Sequence, residues 1–450
     1  MDRVMELQRI LVNSWAARML AAKQVARSSG GKTPGVDGKI IPNTTIGVAT
    51  AAQELGKVTS NPGSYKASPV LRVMIPKGPG TDELRPLGIP TAFDRAVQAL
   101  YAMALLPISE VRADTGSFGF RKGLGTRDAS AALKSALLSV PRPQLVFDAD
   151  ISKFFDTVSH DWLLANVPMN RDVLRSILTA GAIDGGNKID TDRGFPQGGI
   201  ISPMLGNFVL DGLQQVIMDS IGKYQVYLPQ MRVVRYADDF VVMGPSKLWL
   251  FNNFIIPAIS LFLAERGLAL HPVKSKVVNP YSEGFDFLGM NYSWKANVNM
   301  PGKHWLRIVP SDKSVERFKM RVREIISNCK DLNYRMNMIS QLNLLITGWG
   351  NYHIFGNVSV IFNELDKFVW DAYLNWLKGH FPKGTVASLS KIGFMQVNNT
   401  KSVPFGINEQ GIKVPLKRLS TMSIRSFSIV EVKRSGFLEE FNKFNEDDRD

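Results

Sequence analysis

The spacing of hydrophobic residues changes along this chain. Near the start, apolar residues recur at helical spacing and predict a helix over residues 4–27. Between residues 70 and 290, short β-branched runs and helical patterns follow one another irregularly, and beyond about residue 310 the spacing is helical again. Because the middle region lacks regular βαβ alternation, it predicts an α+β domain with a mainly antiparallel sheet.

The same spacing predicts individual elements. Predicted strands are 71–77, 83–90, 145–151 and a hairpin over 233–244, with short strand-like pieces at 268–277 and 285–289. Predicted helices are 91–106, with Thr91 as its N-cap, then 254–266, 315–329, 339–349 and 361–377. A further helix is expected after the loop 194–203, running through Leu210 and Leu213.

Two adjacent carboxylates stand at the tip of the predicted hairpin. Asp238 and Asp239 fall between two apolar, β-branched runs. A pair of acids at one turn concentrates negative charge, which a divalent cation held by oxygen ligands neutralises. The alternative is an ordinary surface turn, where Asp is common. The pair alone does not decide between the two.

A third carboxylate ends another apolar strand. Asp150 follows the run Leu145–Ala149, and an unpaired carboxylate buried there is costly. Asp150 therefore requires either a cation or the surface.

Two cations and a glycine-rich loop add groups suited to phosphoryl transfer. Lys77 and Arg85 fall on two predicted neighbouring strands, from which both can reach one anion. Gln197 lies in the loop 194–203, whose glycines permit close approach of the backbone to a ligand. Carboxylates that hold two Mg²⁺ ions, with positive side chains on a triphosphate, are what nucleotidyl transfer to a 3′-oxygen requires.

The charge of the chain favours a polyanionic partner. Its 450 residues include 54 Lys and Arg against 40 Asp and Glu, a net charge of +14. Nucleic acid is the first choice for such a surface and an anionic membrane the second, while an inert basic surface is the alternative. Residues 301–425 carry much of the excess, with 18 Lys and Arg against 8 Asp and Glu. A basic helical region joined to an acidic site suggests a clamp on a phosphate backbone.

Cysteine content and hydropathy exclude other classes. Cys329 is the one cysteine, so a disulfide framework or a cysteine-bound zinc site is excluded. The first residues lack the build of a signal peptide, and no run reaches the roughly 18 apolar residues of a membrane helix. We therefore expect a soluble protein of a reducing compartment, neither secreted nor bound to a membrane.

The ordered motifs resemble those of the group II intron-encoded reverse transcriptases, also called maturases. Tyr236-Ala237-Asp238-Asp239 is similar to the catalytic motif of that family, and Asp150–Asp156 to its other metal-binding motif. The remaining motifs are Thr33–Gly38, Ile75–Lys77, Arg85–Pro90, Asp94-Arg95, Gly119–Arg121, Pro196–Pro203, Phe287–Gly289 and Gly348–Tyr352. The resemblance spans 5–435 of the chain.

The resemblance implies an α+β right-hand polymerase: fingers and palm with an antiparallel palm sheet, an α-helical thumb and a short C-terminal extension. Its segments would be an N-terminal extension (1–60), fingers and palm (61–300), the thumb or maturase domain X (301–390) and an extension suited to nucleic acid (391–450). Many relatives carry a C-terminal endonuclease with a cysteine-bound ion. We expect this chain not to cleave target DNA with a domain of its own.

The implied activity is RNA-directed DNA polymerisation. Asp150 and Asp238 would be the main ligands of two Mg²⁺ ions, for which Mn²⁺ is a substitute, with the Ile151 carbonyl and Asp239 close by. Residues that would contact the incoming dNTP are Lys77, Arg85, Lys153, Phe154, Phe155, Gln197 and Lys274. Phe155 would exclude a 2′-hydroxyl, and plain core packing is the alternative for that ring.

The implied partners are an RNA template, the intron RNA, a DNA primer or target, and dNTPs. A splicing factor that only binds RNA is one alternative, and a free-standing reverse transcriptase used in defence or repair is another. Either the cytoplasm and nucleoid of a bacterium or an organelle matrix fits this family. Monomer and dimer both stay open.

Overall fold

The computed structural model describes residues 2–76, 78, 83–397 and 401–425. The chain divides into two compact units. Of the described residues, the first unit comprises 2–75 and 84–278, and the second comprises 76, 78, 83, 279–397 and 401–425. Lys77 and residues 426–450 lie outside the described residues, so nothing below tests the contact predicted for Lys77.

The first unit mixes helices with short strands. Its helices are α1 (Asp2–Asn13), α2 (Trp15–Arg27), α3 (Thr45–Ser60), α4 (Ala92–Arg112), α5 (Thr126–Leu138), α6 (Phe154–Thr157), α7 (His160–Asn166), α8 (Arg171–Leu178), α9 (Ser202–Leu210), α10 (Leu213–Ser220), α11 (Leu248–Leu250) and α12 (Ile256–Ala264). Its strands are β1 (Val70–Pro76), β2 (Leu84–Ile89), β3 (Leu145–Ala149), β4 (Ala182–Asp184), β5 (Asn187–Ile189), β6 (Arg232–Tyr236), β7 (Asp239–Gly244) and β8 (Lys276–Val278).

The central sheet of this unit is antiparallel, as predicted. Its strand order is β6-β7-β3-β8, and every neighbouring pair runs antiparallel. Residues 240–244 of β7 are buried on both faces of the sheet. Such a strand is a near-continuous apolar run, so the acid at its first position, Asp239, stands out from the rest.

A second sheet has the order β2-β1-β4-β5. The predicted pairing of β1 with β2 is therefore confirmed. Strand β1 also pairs in parallel with β4, Val70 opposite Ala182.

Helix α4 connects this sheet to the N-terminal region. Thr91 caps it as predicted, its Oγ1 accepting from the Asp94 amide at 3.1 Å. The Asp94 carboxylate accepts from the Tyr65 hydroxyl at 2.6 Å. Arg95 donates to the carbonyls of Gly30 and Thr33 at 2.8 and 2.6 Å. The adjacent Asp94 and Arg95 thus fix two flanking loops to one helix.

The second unit consists of two three-stranded sheets and a helical bundle. Its elements are β9 (Phe285–Phe287), β10 (Met290–Ala296), β11 (His304–Pro310), α13 (Asp312–Asn328), α14 (Arg335–His353), α15 (Ser359–His380), α16 (Val386–Gly393), β12 (Phe394–Val397), β13 (Lys401–Ile407) and β14 (Lys413–Pro415). Strands β9, β10 and β11 are antiparallel, and β13 pairs antiparallel with β12 and β14. Helix α13 buries Phe318, Val322, Ile325 and Ile326, the apolar face predicted for it. None of the described helices is long and apolar enough to cross a bilayer.

Some local structure differs from the prediction. The helix predicted over 4–27 is two helices, because Ser14 has an extended backbone (ψ 130°) that ends α1 before α2 begins. The helix predicted through Leu213 likewise breaks at Gly212, whose φ of 94° is left-handed. The hairpin β4–β5 was not predicted, since its strands have three residues each.

A buried histidine ties together the second unit. His353 at the end of α14 is 2% exposed. Its Nε2 lies 3.0 Å from the Ser314 hydroxyl on α13, and its Nδ1 lies 2.9 Å from Met290 Sδ on β10. Trp349 packs on the ring, with 4.3 Å between centroids. Burial lowers the pKa of His353 from 6.5 to about 4, so the folded protein holds it neutral at pH 6.

This shift predicts acid sensitivity of the second unit. Below pH 6.5 the unfolded chain binds a proton that folded His353 takes up only near pH 4, so the free energy of unfolding falls by on the order of 3 kcal/mol across that window. We expect His353→Gln to flatten this dependence in urea unfolding at pH 7 and pH 5. The exposed His304 provides the control: His304→Gln should keep the full slope, and an equal slope in His353→Gln would contradict the assignment.

Candidate active site

The pairing of β3 with β7 brings the predicted carboxylates together. Ala149 pairs with Phe240 in antiparallel register, so Asp150, the next residue, comes beside Asp239. In the hairpin, Tyr236 pairs with Asp239, which leaves Ala237 and Asp238 as the turn. The turn is tight because Ala237 adopts a left-handed backbone, with φ of 59°. The three predicted acids therefore meet at one end of the central sheet.

The electrostatics report the same proximity. Burial and the charges of Asp148, Asp238 and Asp150 raise the pKa of Asp239 to about 7. Burial also raises the pKa of Asp238. A backbone hydrogen bond lowers this pKa, and the charge of Asp150 raises it further. Mutual repulsion of the carboxylates thus adds to the effect of burial.

The donor set fits a hard divalent cation. Carboxylate and carbonyl oxygens are its components, and Mg²⁺ binds through one or two carboxylates, waters and substrate phosphates. Within the described ranges, no three acidic, histidine or cysteine side chains are grouped closely enough to hold an ion by themselves. Asp150, Asp238 and Asp239 would be the protein's share of a site completed by waters and substrate phosphates.

A loop after α12 holds Asp150 by its main chain. The His271 amide donates to the Asp150 carbonyl at 2.7 Å, and the Ser275 hydroxyl donates to the same carbonyl at 3.1 Å. The Asp150 amide in turn donates to Ser275 Oγ at 3.1 Å. Lys274 Nζ lies 3.6 Å from the Asp150 carboxylate, with both side chains partly exposed. The structure thus brings predicted Lys274 to the carboxylates.

The same loop leaves the Ile151 carbonyl available. Ile151 forms an isolated antiparallel bridge with Leu270. The bonds of this bridge are made by the Ser152 amide, which donates to Ala269 at 2.9 Å, and by the Asp150 carbonyl. The Ile151 carbonyl takes no part in them and points away from Leu270.

The aromatic residues after Asp150 form a small cluster. Lys153 turns the chain with a left-handed φ of 45°. Phe154 is buried, whereas Phe155 is half-buried. Phe195 contacts both rings edge-on, at centroid distances of 6.3 and 5.5 Å. Its amide also donates to the Phe155 carbonyl at 2.9 Å.

Phe155 and Gln197 line one cavity of about 440 Å³. Gln197 is fixed by its main chain, since its carbonyl accepts from the Gly88 amide of β2 at 2.7 Å. Arg85, on the same strand, is exposed. The structure therefore groups Phe155 with Gln197 in one cavity, whose lining does not include Arg85.

Comparison with known proteins identifies the class that this fold and site define. Residues 75–292 match the family described as reverse transcriptase (RNA-dependent DNA polymerase), and residues 1–55 match the N-terminal domain of reverse transcriptase. Residues 315–392 match the group II intron, maturase-specific domain. The chain is thus a reverse transcriptase by family, with the α+β right-hand polymerase fold. It belongs to the group II intron-encoded reverse transcriptases, or maturases.

Several relatives share parts of this sequence. Protein YkfC of Escherichia coli (strain K12) is 33% identical over 322 residues, which cover 64% of this chain and 82% of that protein. The group II intron-encoded protein LtrA of Lactococcus lactis subsp. cremoris is 29% identical over 39% of this chain and 30% of its own length. An uncharacterized 91 kDa protein in the cob intron of Schizosaccharomyces pombe is 25% identical over 65% of this chain and 44% of its own length. The chain thus spans less than half of the last two relatives.

A telomerase structure from Candida albicans, solved with a fragment of telomeric RNA, is similar at a TM-score of 0.40. The two are 13% identical, and the similarity covers 70% of this chain and 60% of that one.

Sequence reasoning missed two parts of the site. Asp148 lies two residues before Asp150 on β3 and so on the same face of the sheet, where its charge reaches Asp239. Arg235, on strand β6 of the hairpin, is buried and pairs with Asp211. A charged residue inside each apolar strand was the signal available for both.

The repulsion predicts a response to Mg²⁺. A cation bound among Asp150, Asp238 and Asp239 offsets their mutual repulsion, so adding Mg²⁺ should raise the melting temperature of the wild-type chain. In Asp150→Asn we expect less than half of that increase in differential scanning calorimetry. Exposed Asp219 is the control, because Asp219→Asn should keep the full increase. An undiminished increase in Asp150→Asn would show that the cation binds elsewhere.

Proposed function

We propose that this protein is an RNA-directed DNA polymerase that extends a primer 3′ end with dNTPs and also binds an intron RNA, assisting its splicing and mobility. The proposed polymerase activity rests on the register of β3 and β7, which sets Asp150 beside Asp239 at the Tyr236–Asp239 hairpin. The family to which the chain belongs supports the same reaction.

In this proposal Asp150 and Asp238 are the main ligands of two Mg²⁺ ions, with Asp239 and the Ile151 carbonyl contributing. Mg²⁺ bound there supplies activation of the primer 3′-oxygen and stabilisation of the leaving pyrophosphate. The chain itself contributes orientation, because its hydrogen bonds fix the backbone of Asp150 on one side of the site. The paired strands fix the hairpin on the other side.

The dNTP would bind beside these carboxylates. Lys77, Arg85 and Lys274 would neutralise the triphosphate, together with the backbone amides near Lys153 and Phe154. The 3.6 Å separation of Lys274 from Asp150 supports a place for Lys274 at the reacting end. Phe155 and Gln197 would lie against the sugar and base, which the cavity they share supports.

The RNA partner would bind the basic surface of the second unit. Residues 315–392 match the maturase-specific domain, and α13 presents exposed basic side chains opposite its buried apolar face. LtrA, one of the relatives, is named as a group II intron-encoded protein. These observations support intron RNA as the partner of this unit.

The polymerase proposal predicts that Asp238→Ala abolishes primer extension. The purified chain should extend a DNA primer on an RNA template with Mg²⁺ and dNTPs. Removing this carboxylate takes away a metal ligand, so the rate should drop by about 10³-fold or to below detection, where 10³-fold is the upper end of the loss seen when one group that stabilises transition-state charge is removed. Asp219→Ala is the matched control and should extend normally. Full activity in Asp238→Ala would remove Asp238 from the site.

The same variant separates polymerisation from RNA binding. We expect Asp238→Ala to keep its affinity for a group II intron RNA and its support of splicing in vitro, since the basic surface is intact. Splicing lost together with polymerisation would mean that the two functions share the carboxylates.

Phe155 is predicted to select deoxyribonucleotides. Replacing the ring in Phe155→Val opens space for a 2′-hydroxyl, so the preference for dNTPs over rNTPs in kcat/KM should fall by about tenfold or more. Single-nucleotide incorporation assays measure it. Phe195→Leu is the control for the cluster, because it loosens packing at the neighbouring ring. A Phe155→Val variant that loses activity equally with both substrates would make the ring a packing residue.

A further inference from the structure

We propose that buried Arg235, held by Asp211 and Asn207, is a positioning residue that fixes the Ala237–Asp238 turn for metal-dependent catalysis. This inference rests on the proposed function and concerns how the chain holds that site. Arg235 lies on β6, three residues before Asp238, and its side chain is buried together with that of Asp211.

The guanidinium of Arg235 reaches in three directions. One nitrogen pairs with the Asp211 carboxylate between α9 and α10. The other donates to Asn207 Oδ1 at 3.3 Å and to the Ala237 carbonyl at 3.4 Å. The contact with Ala237 is the important one, because that residue and Asp238 make the turn. Arg235 therefore connects the turn to helix α9.

The backbone around Arg235 makes a second connection. Its amide donates to the Gly116 carbonyl at 2.7 Å, and its carbonyl accepts from the Phe118 amide at 2.9 Å. The segment 116–119 thus runs along the outer edge of β6. Asn207 reaches the end of this segment, since its Nδ2 donates to the Gly119 carbonyl at 3.0 Å.

The end of that segment contacts the turn itself. A Cβ added at Gly119 would clash with the Ala237 amide, so only glycine allows this approach. Asn207 therefore holds both Gly119 and Arg235, each of which contacts Ala237. Gly119, from one of the predicted motifs, and Asn207, distant from it in sequence, thus meet behind the turn.

The conformation of Ala237 needs such support. A left-handed alanine is strained, and a residue of this kind persists only where its surroundings determine its conformation. Asp238, which follows it, depends on that φ for the direction of its carboxylate. The Arg235 and Gly119 contacts are the surroundings that hold Ala237.

Stability alone does not explain a buried charge pair here. Burial raises the pKa of Asp211 and Arg235 acts in the opposite direction, and taking both charges of such a pair out of water is costly. Apolar side chains of the same volume often stabilise a core as well or better. The ion pair instead orients the Arg235 guanidinium, whose N–H donors point in several fixed directions.

The experiment compares Arg235→Met and Arg235→Lys with wild type. We expect Arg235→Met to lower kcat by about 100-fold with the dNTP KM within about twofold, as when an interaction made only in the transition state is removed. The Mg²⁺ concentration for half-maximal rate should rise, and Mn²⁺ affinity measured by electron paramagnetic resonance should fall by about tenfold, within the range for residues that orient metal ligands. Arg235→Lys should recover little of the rate or of the Mn²⁺ affinity, since an ammonium lacks the planar, forked arrangement of donors in a guanidinium.

Tyr65→Phe is the matched control. It removes the hydrogen bond to buried Asp94 in the same unit, away from the hairpin, and should lower the melting temperature while leaving Mn²⁺ affinity unchanged. An Arg235→Met protein with reduced stability but wild-type Mn²⁺ affinity would overturn the proposal. Should that variant not fold, Asn207→Ala, which keeps the ion pair, tests the same readouts.

The two proposals fail separately. A wild-type chain that binds Mn²⁺ but extends no primer would remove the proposed polymerase activity, while the Mn²⁺ affinities of the variants would still decide the role of Arg235.

Discussion

Electrostatic repulsion among carboxylates at the end of the central sheet is the constraint on which the first unit depends. Antiparallel pairing of β3 with β7 sets Asp150 beside Asp239, and Asp148 adds its charge from the same face. Burial and, after it, the neighbouring carboxylates raise the pKa values of Asp238 and Asp239. When these carboxylates are ionised at the same time, the surrounding structure has to fix their positions against this repulsion.

The surroundings of the carboxylates meet that requirement on two sides. Around Asp150, the loop from His271 to Ser275 supplies main-chain and hydroxyl hydrogen bonds and the charge of Lys274. Around the hairpin, Arg235 donates to the Ala237 carbonyl, while its charge is paired with Asp211. Each side therefore fixes the backbone that carries a carboxylate.

Sequence reasoning identified the groups of the site better than their surroundings. The hairpin and Asp150 were predictable because an acid is conspicuous at the end of a β-branched run, and the face of α13 because its apolar residues recur every three or four positions. The break at Ser14 was not, since backbone angles at one serine decide it. The role of Arg235 depends on Asp211 and Asn207, more than twenty residues away, and periodicity carries no information about such contacts. The predicted segment boundaries and residue roles stay predictions.

The two acids of the hairpin occupy unlike positions. Asp239 is the first residue of β7, paired with Tyr236, and receives the charge of Asp148 and Asp150 across the sheet. Asp238 lies in the turn, outside the ladder, so its backbone is set by Ala237 rather than by strand pairing. Because its direction depends on a strained neighbour, Asp238 is the carboxylate whose orientation the buried network controls. Asp239, by contrast, is held by strand pairing with Tyr236.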